Sequence, residues 1–174
     1  MERNPTYLSI LIVLSFAIFA KSVSDDDMKC VYTIYIRTGT ILKAGTDSKI
    51  SLELWGKTGD GVRITDIESW GGLMGPNYDY FERGNLDVFS GRGPCLNENV
   101  CAMKLISDGS GEHHGWYCNY VEITTTGPHA KCAQIKFDVE QWLASDAYPY
   151  QLSVTRNYCP VKDSVPALRS IASS

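Results

Sequence analysis

The stretch Tyr32-Thr33-Ile34-Tyr35-Ile36-Arg37 sets the period of this chain. Tyr32, Ile34 and Ile36 alternate with Thr33, Tyr35 and Arg37, the pattern of a strand with one face in a core and the other toward water. The same alternation returns in Ile50-Ser51-Leu52-Glu53-Leu54, in Ile135-Lys136-Phe137-Asp138-Val139-Glu140 and in Leu152-Ser153-Val154-Thr155. Weaker strands are expected at Val62–Trp70, Leu86–Phe89, Ala102–Ser107 and Trp116–Thr125, which makes eight. Turn residues separate them: Thr38-Gly39, Lys57–Gly61, Gly71–Pro76, Ser90–Pro94, Asp108–Gly111, Gly127-Pro128 and Tyr148-Pro149. No segment shows a convincing amphipathic helix. Short strands with polar turns predict an all-β antiparallel sandwich or barrel. Ile34, Ile36, Leu52, Leu54, Phe137, Val139, Leu152 and Val154 are expected in its core.

Length and composition agree with one folded domain. The chain has 174 residues, 44% hydrophobic and 21% charged, with a net charge of −4. No long basic run offers a track for phosphates, which argues against nucleic acid as a partner. Residues 1–24 read as a secretory signal peptide: a short polar start, an uncharged apolar run Tyr7–Ala20, then Ala20, Ser22 and Ser24 as candidate cleavage positions. That run would span roughly 21 Å as a helix, short of a hydrocarbon core. Residues 25–160 hold the domain and residues 161–174 read as a tail. No segment after the leader is long enough to cross a bilayer. A monomer in the endoplasmic reticulum or outside the cell is expected.

All six cysteines follow the leader, and none forms a C-x-x-C pair, so disulfides are favoured over a metal. Cys95 and Cys101 flank a short loop and are the obvious local pair. Cys30 opens the domain and Cys159 closes it, and these would meet if the first and last strands lay side by side. Cys118 and Cys132 are left over, and Cys118 reads equally as a buried free thiol.

Four blocks in order resemble PLAT (lipoxygenase-homology) domains. They are Thr38-Gly39 with Lys43–Ser48 and Ile50–Leu52; Phe81–Phe89; Ser107-Asp108 with Gly115-Trp116-Tyr117; and Phe137 with Gln141–Ala144. A leader followed by one such domain is similar to the small plant stress-associated and embryo-specific PLAT proteins. The resemblance implies an eight-stranded antiparallel sandwich of two four-stranded sheets. It also implies a non-catalytic module that docks on membrane lipid or on protein partners, with a role in plant stress response or seed development.

The residues themselves offer no catalytic set. Asp108-Gly109-Ser110-Gly111 has Asp where a nucleophile elbow needs its first Gly. His113, His114 and His129 stand beside turns, where a polar loop contact is the simpler reading. Two constellations could bind. The first is acidic: Gly45 and Asp47 share one turn, Asp108 and Gly109 another, and Asp60 and Asp66 flank the third strand. Calcium takes six to eight oxygens from such groups. The resemblance makes Gly45, Asp47 and Asp108 the matching calcium positions, while the alternative is that both aspartates cap their own turns. The second is apolar: Trp70, Leu73 and Met74 in a glycine-rich loop, followed by Tyr78, suited to a lipid interface or a partner groove. Trp70 could equally plug the end of the sandwich. Trp55, Trp116 and Trp142 fall within strand patterns and read as structural. The competing class is a secreted carbohydrate-binding or inhibitor-like sandwich, in which a sugar site would show a row of exposed aromatics along one sheet.

Overall fold

The computed structural model describes residues 29–128 and 131–160. The leader, residues 25–28, His129 and the tail lie outside the described residues. Chain order is β1 (Lys29–Thr38), β2 (Ile50–Trp55), β3 (Gly61–Ile64), α1 (Ile67–Gly71), β4 (Leu86–Pro94), β5 (Ala102–Ser107), β6 (Trp116–Thr126), β7 (Ala133–Leu143) and β8 (Ser153–Asn157). The strands form two four-stranded sheets, β4-β1-β6-β7 and β3-β2-β5-β8. All neighbours are antiparallel.

Alternation decides which side chains fill the space between the sheets. In β1, Tyr32, Ile34 and Ile36 are fully buried while the residues between them are half-buried. Leu52, Leu54, Leu105, Val121, Ile123, Phe137, Val139 and Val154 complete the contact between sheets. Leu152 falls just before β8 and is only half-buried, because the strand begins one residue later than its pattern suggested.

Two sequence expectations are corrected. The segment Val62–Trp70 is not one strand. β3 stops at Ile64, and Asp66 then caps a single helical turn by accepting from Ser69 N–H at 3.1 Å. The cysteine pairing also differs: the bonds are Cys30–Cys95 and Cys101–Cys159, not Cys95–Cys101 and Cys30–Cys159. Sheet membership explains the exchange. Cys30 sits opposite Gly93, so the end of β4 delivers Cys95 beside it. β5 pairs with β8 through Ala102 and Asn157, which brings Cys159 to Cys101. β1 and β8 belong to different sheets, so the first and last cysteines do not meet. Cys118 is a buried free thiol, and Cys132 is free and exposed.

Strand directions give the sandwich two unlike ends. Both disulfides, the connections 56–60 and 95–101, the end of β6 and the start of β7 lie at one, the disulfide end. The connections 39–49, 65–85, 108–115 and 144–152 gather at the other, the loop end, and each crosses from one sheet to the other.

Between the ends, the β7–β8 side is closed by Arg156. Its Nε donates to Asp138 O at 2.8 Å, and its Nη2 donates to Val139 O at 2.6 Å and Gln141 Oε1 at 3.1 Å. Successive carbonyls of a regular strand point to opposite edges. Here Val139 and Glu140 together oppose Asn119, a bulge with Glu140 at φ 47°, so two consecutive carbonyls reach one guanidinium. The exposed edge of β7 is thereby occupied.

Candidate functional site

The loop end is built by alternation carried past β1. Ala44, Thr46 and Ser48 point inward and are buried, leaving Gly45 and Asp47 outward. Thr46 Oγ1 donates to His113 O at 2.8 Å and Ser48 Oγ to Ser110 O at 2.7 Å, which ties this loop to the β5–β6 connection.

A buried carboxylate shapes the neighbouring loop. Asp87, at the start of β4, accepts from Tyr78 Oη at 2.9 Å and Phe81 N–H at 2.8 Å. Burial pushes the Asp87 carboxyl above its ordinary range. Burial, then the hydrogen bond and the charge of Asp87, push the Tyr78 phenol up to about 12. Tyr80 and Phe81 turn into the core, Phe81 stacking on Phe89 with centroids 5.7 Å apart. With that pair inward, Asp79 and Glu82 project outward on either side of it.

Asp79, Glu82 and Asp47 meet at the surface, each offering an oxygen within 4.8 Å of the others. Two oxygens that share one calcium at about 2.4 Å can be no farther apart than that. The donor set is hard and anionic, which suits calcium. Asp47 Oδ2 also accepts from His113 N–H at 3.1 Å and lies 3.1 Å from His113 Nδ1. Gly45 packs on Glu82, whose Oε2 would lie 3.2 Å from a Cβ there.

The structure does not bring Asp108 into this group. Its Oδ1 accepts from Lys49 N–H at 3.1 Å, Ser110 N–H at 2.9 Å and Ser110 Oγ at 2.7 Å. Burial opposes its charge, but those bonds win and hold its carboxyl below the usual range. It is a turn cap. Asp79 and Glu82 were missed because thirty-odd residues separate them from Asp47 in the sequence, and only the fold joins them. The signal present in the sequence was their position astride the inward pair Tyr80-Phe81.

The apolar constellation divides. Trp70 ends α1 half-buried, its ring so close to Gly91 that a Cβ there would lie 2.5 Å from it. It covers the β4 edge and is packing, not a loop tip. Tyr78 is held by Asp87. Leu73 and Met74 do face solvent, 59% and 37% exposed. The sequence reading passed over Leu42, which is 77% exposed, its neighbour Ile41, and the exposed pair Tyr148 and Tyr150. All four belong to loop-end connections.

A cleft of about 660 Å³ opens between these loops. Leu42, Lys43, Arg83, His114, Trp142 and Ala147 are among the residues around it. Trp142, read from the sequence as structural, is half-buried and forms part of this wall.

Two four-stranded antiparallel sheets, with exposed acidic and apolar side chains on the loops of one end, define the class as an all-β sandwich. The PLAT/LH2 domain family profile matches residues 32–156, and the chain belongs to that family. It is 58% identical to PLAT domain-containing protein 2 of Arabidopsis thaliana over 160 residues, 92% of this chain and 87% of the relative. It is 55% identical to PLAT domain-containing protein 1 of the same plant, over 98% of this chain and 94% of that one. Among solved structures it resembles a coral 8R-lipoxygenase described as calcium-activated through a C2-like domain, with TM-score 0.51 and 20% identity. A calcium-dependent 11R-lipoxygenase matches with TM-score 0.51 and 22% identity. Each match covers 72% of this chain but only 16% and 17% of the respective lipoxygenase, so the likeness is one of fold.

Proposed function

We propose that this chain is a non-catalytic PLAT module of the secretory pathway that docks its loop end on membrane lipid, with calcium held at Asp47, Asp79 and Glu82. The observation that carries the reading is the exposure of Ile41, Leu42, Leu73 and Met74 on the end that also presents three converging carboxylates. Exposed apolar side chains on loop tips suit an interface, while bare carboxylates repel an anionic bilayer. Calcium removes the repulsion and leaves the apolar tips to insert. Burying Leu42 and Leu73 contributes a few kcal/mol at about 25 cal/mol per Å² before ordering costs, which gives reversible docking. Two disulfides accord with an oxidising compartment. Among the described residues no helix is long and apolar enough to cross a membrane. The plant relatives are named for their PLAT domain, and the proposed role in plant stress response or seed development rests on the resemblance to the stress-associated and embryo-specific PLAT proteins.

The test is co-sedimentation of residues 25–174 with anionic phospholipid vesicles, in calcium and in chelator. Wild type is expected to sediment with vesicles in calcium. Leu42→Ser with Leu73→Ser is expected to stay in the supernatant with unchanged melting. Asp79→Asn with Glu82→Gln is expected to lose the response to calcium. Docking that survives both double variants overturns the reading.

A further inference from the structure

The cleft beside Trp142 shares Leu42 and Glu82 with the proposed docking face, but the rest of its lining, Trp142 above all, has no part in that docking and has its own chemistry. Two glycines stand in its walls. A Cβ on Gly115 would stand 3.9 Å from Trp142 Cζ3, 3.8 Å from Asp146 Oδ1 and 3.5 Å from Ala144 Cβ. These are ordinary contacts, so a side chain at 115 would lie against the indole that glycine leaves bare. On the opposite wall Gly45 lets two stretches of chain approach closely, since a Cβ there would lie 3.1 Å from Arg83 N and 3.2 Å from Glu82 Oε2. The indole is braced from one side by Tyr117, edge to face with centroids 5.5 Å apart. Asp146 is steadied by His114, Nε2 to Oδ2 3.6 Å.

The polar groups around that indole are of both signs and stand ready. Lys43 and Arg83 supply donors, Glu82 and Glu112 supply acceptors, and all four line the cleft. Among the described residues, none of these four side chains, nor the Trp142 indole N–H, makes a hydrogen bond or ion pair. The backbone at Lys43 is held at φ 64°, a conformation costly for a residue with a Cβ. The strain is stored on the lip of the cleft.

Charge selects the ligand. A polyanion meets Glu82, Glu112 and Asp146, and a polycation meets Lys43 and Arg83. A purely apolar ligand would strip water from all of them without replacing it. A neutral polyhydroxylated ring satisfies both signs, because each hydroxyl donates one hydrogen bond and accepts others. The C–H face of such a ring is apolar and packs flat on an aromatic side chain. The volume lies in the range of small-ligand sites and exceeds a single sugar ring. Tyr148, 80% exposed, follows Ala147 on the rim and offers a second aromatic surface to a longer chain.

We propose that this cleft binds a neutral oligosaccharide, with one ring stacked on Trp142 and its hydroxyls shared among Arg83, Glu82, Glu112 and Asp146. The aromatic platform is thus at the end of the sandwich, not in a row along a sheet.

The probes are soluble neutral oligosaccharides of two to four rings: β-linked glucose, xylose, mannose, galactose and N-acetylglucosamine series. They are titrated into residues 25–174 in chelator and without lipid, so the outcome is separate from that of the docking experiment. The readouts are indole fluorescence and saturation-transfer NMR. At least one series is expected to bind by about 10 mM. Trp142→Ala is expected to weaken it at least about tenfold. Because Trp142 braces Tyr117, Gly115→Leu serves as a second variant. It fills the cleft, leaves the core untouched, and is expected to abolish binding with unchanged melting. No binding by any series, or binding indifferent to both variants, overturns the proposal.

Discussion

The two ends of the sandwich are built on opposite terms. At the disulfide end, Cys30–Cys95 and Cys101–Cys159 fasten the 95–101 connection to one sheet at its start and to the other at its finish. Its carboxylate Asp60 is engaged by Thr58, by Asn97 N–H at 2.7 Å and by Asn97 Nδ2 at 3.1 Å. Among the described residues no disulfide crosslinks the connections of the loop end, and four of the five non-glycine residues at positive φ lie there: Lys43, Asn77, Phe81 and Tyr150. Its surface carries the exposed leucines and tyrosines and the converging carboxylates. The crosslinks are concentrated at one end, and strain and exposure at the other, where binding is proposed. That separation lets loops vary over a scaffold held from the other side.

The largest effect should come from the disulfide end. The two bonds span 65 and 58 residues, which corresponds to about 4 kcal/mol each on the loop-closure model. Cys101→Ser with Cys159→Ser is expected to lose about 2–5 kcal/mol in urea denaturation. Vesicle docking of the folded protein should be unaltered. A loss of docking at full folding would break the division between the ends.

Trp70→Ala comes next. Its ring covers Gly91 and is half-buried, so truncation is expected to cost about 2–3 kcal/mol, below the range for a fully buried Trp. Docking should persist. A variant with unchanged melting and lost docking would return Trp70 to the interface.

The difference between strands and loops also explains what could be read in advance. Alternation along β1, β2 and β7 reports burial directly, because a strand's faces are fixed by its own sequence. Ile34, Leu52 and Phe137 therefore fall in the core as their pattern requires. Which strands are neighbours is not a local property. The cysteines were legible as bonded residues, but their partners depend on β4 lying beside β1 and β8 beside β5. The acidic site shows the same limit. Asp47 was visible in its turn, while Asp79 and Glu82 join it only because Asp87, buried on the next strand, pulls Tyr78 and Phe81 inward. Trp70 misled because glycines 71 and 72 suggested a free loop, when Gly71 in fact lets α1 press against Ser90.

Arg156 lies between the ends and tests whether the sandwich needs closing along its side. Arg156→Ala leaves Asp138 O and Val139 O to water and is expected to cost about 1–2 kcal/mol. It should also free the β7 edge, seen as concentration-dependent association in sedimentation velocity. A variant that stays monomeric at high concentration would show that Tyr158, stacked on Phe137 at 5.2 Å, closes that side alone.

The smallest effect distinguishes the ends by pH. Asp60 at the disulfide end has its carboxyl lowered, first by the Thr58 hydrogen bond and then by Asn97. Asp87 at the loop end has its carboxyl raised by burial. The signs of their linkage are therefore opposite. A carboxylate with a lowered pKa gives stability that is present above its unfolded value and lost as pH falls through the folded one. Asp87 gives stability that is fully present below its unfolded value and lost as pH rises through its raised folded value. The difference in unfolding free energy between wild type and Asp87→Asn should therefore shrink as pH rises from about 3 toward 6. For wild type against Asp60→Asn it should grow over the same span. Urea denaturation at half-unit pH steps reads both. Parallel curves for the two variants would mean that Asp87 is charged and satisfied by Tyr78 and Phe81 throughout, and that the loop end is no more strained electrostatically than the end the disulfides hold.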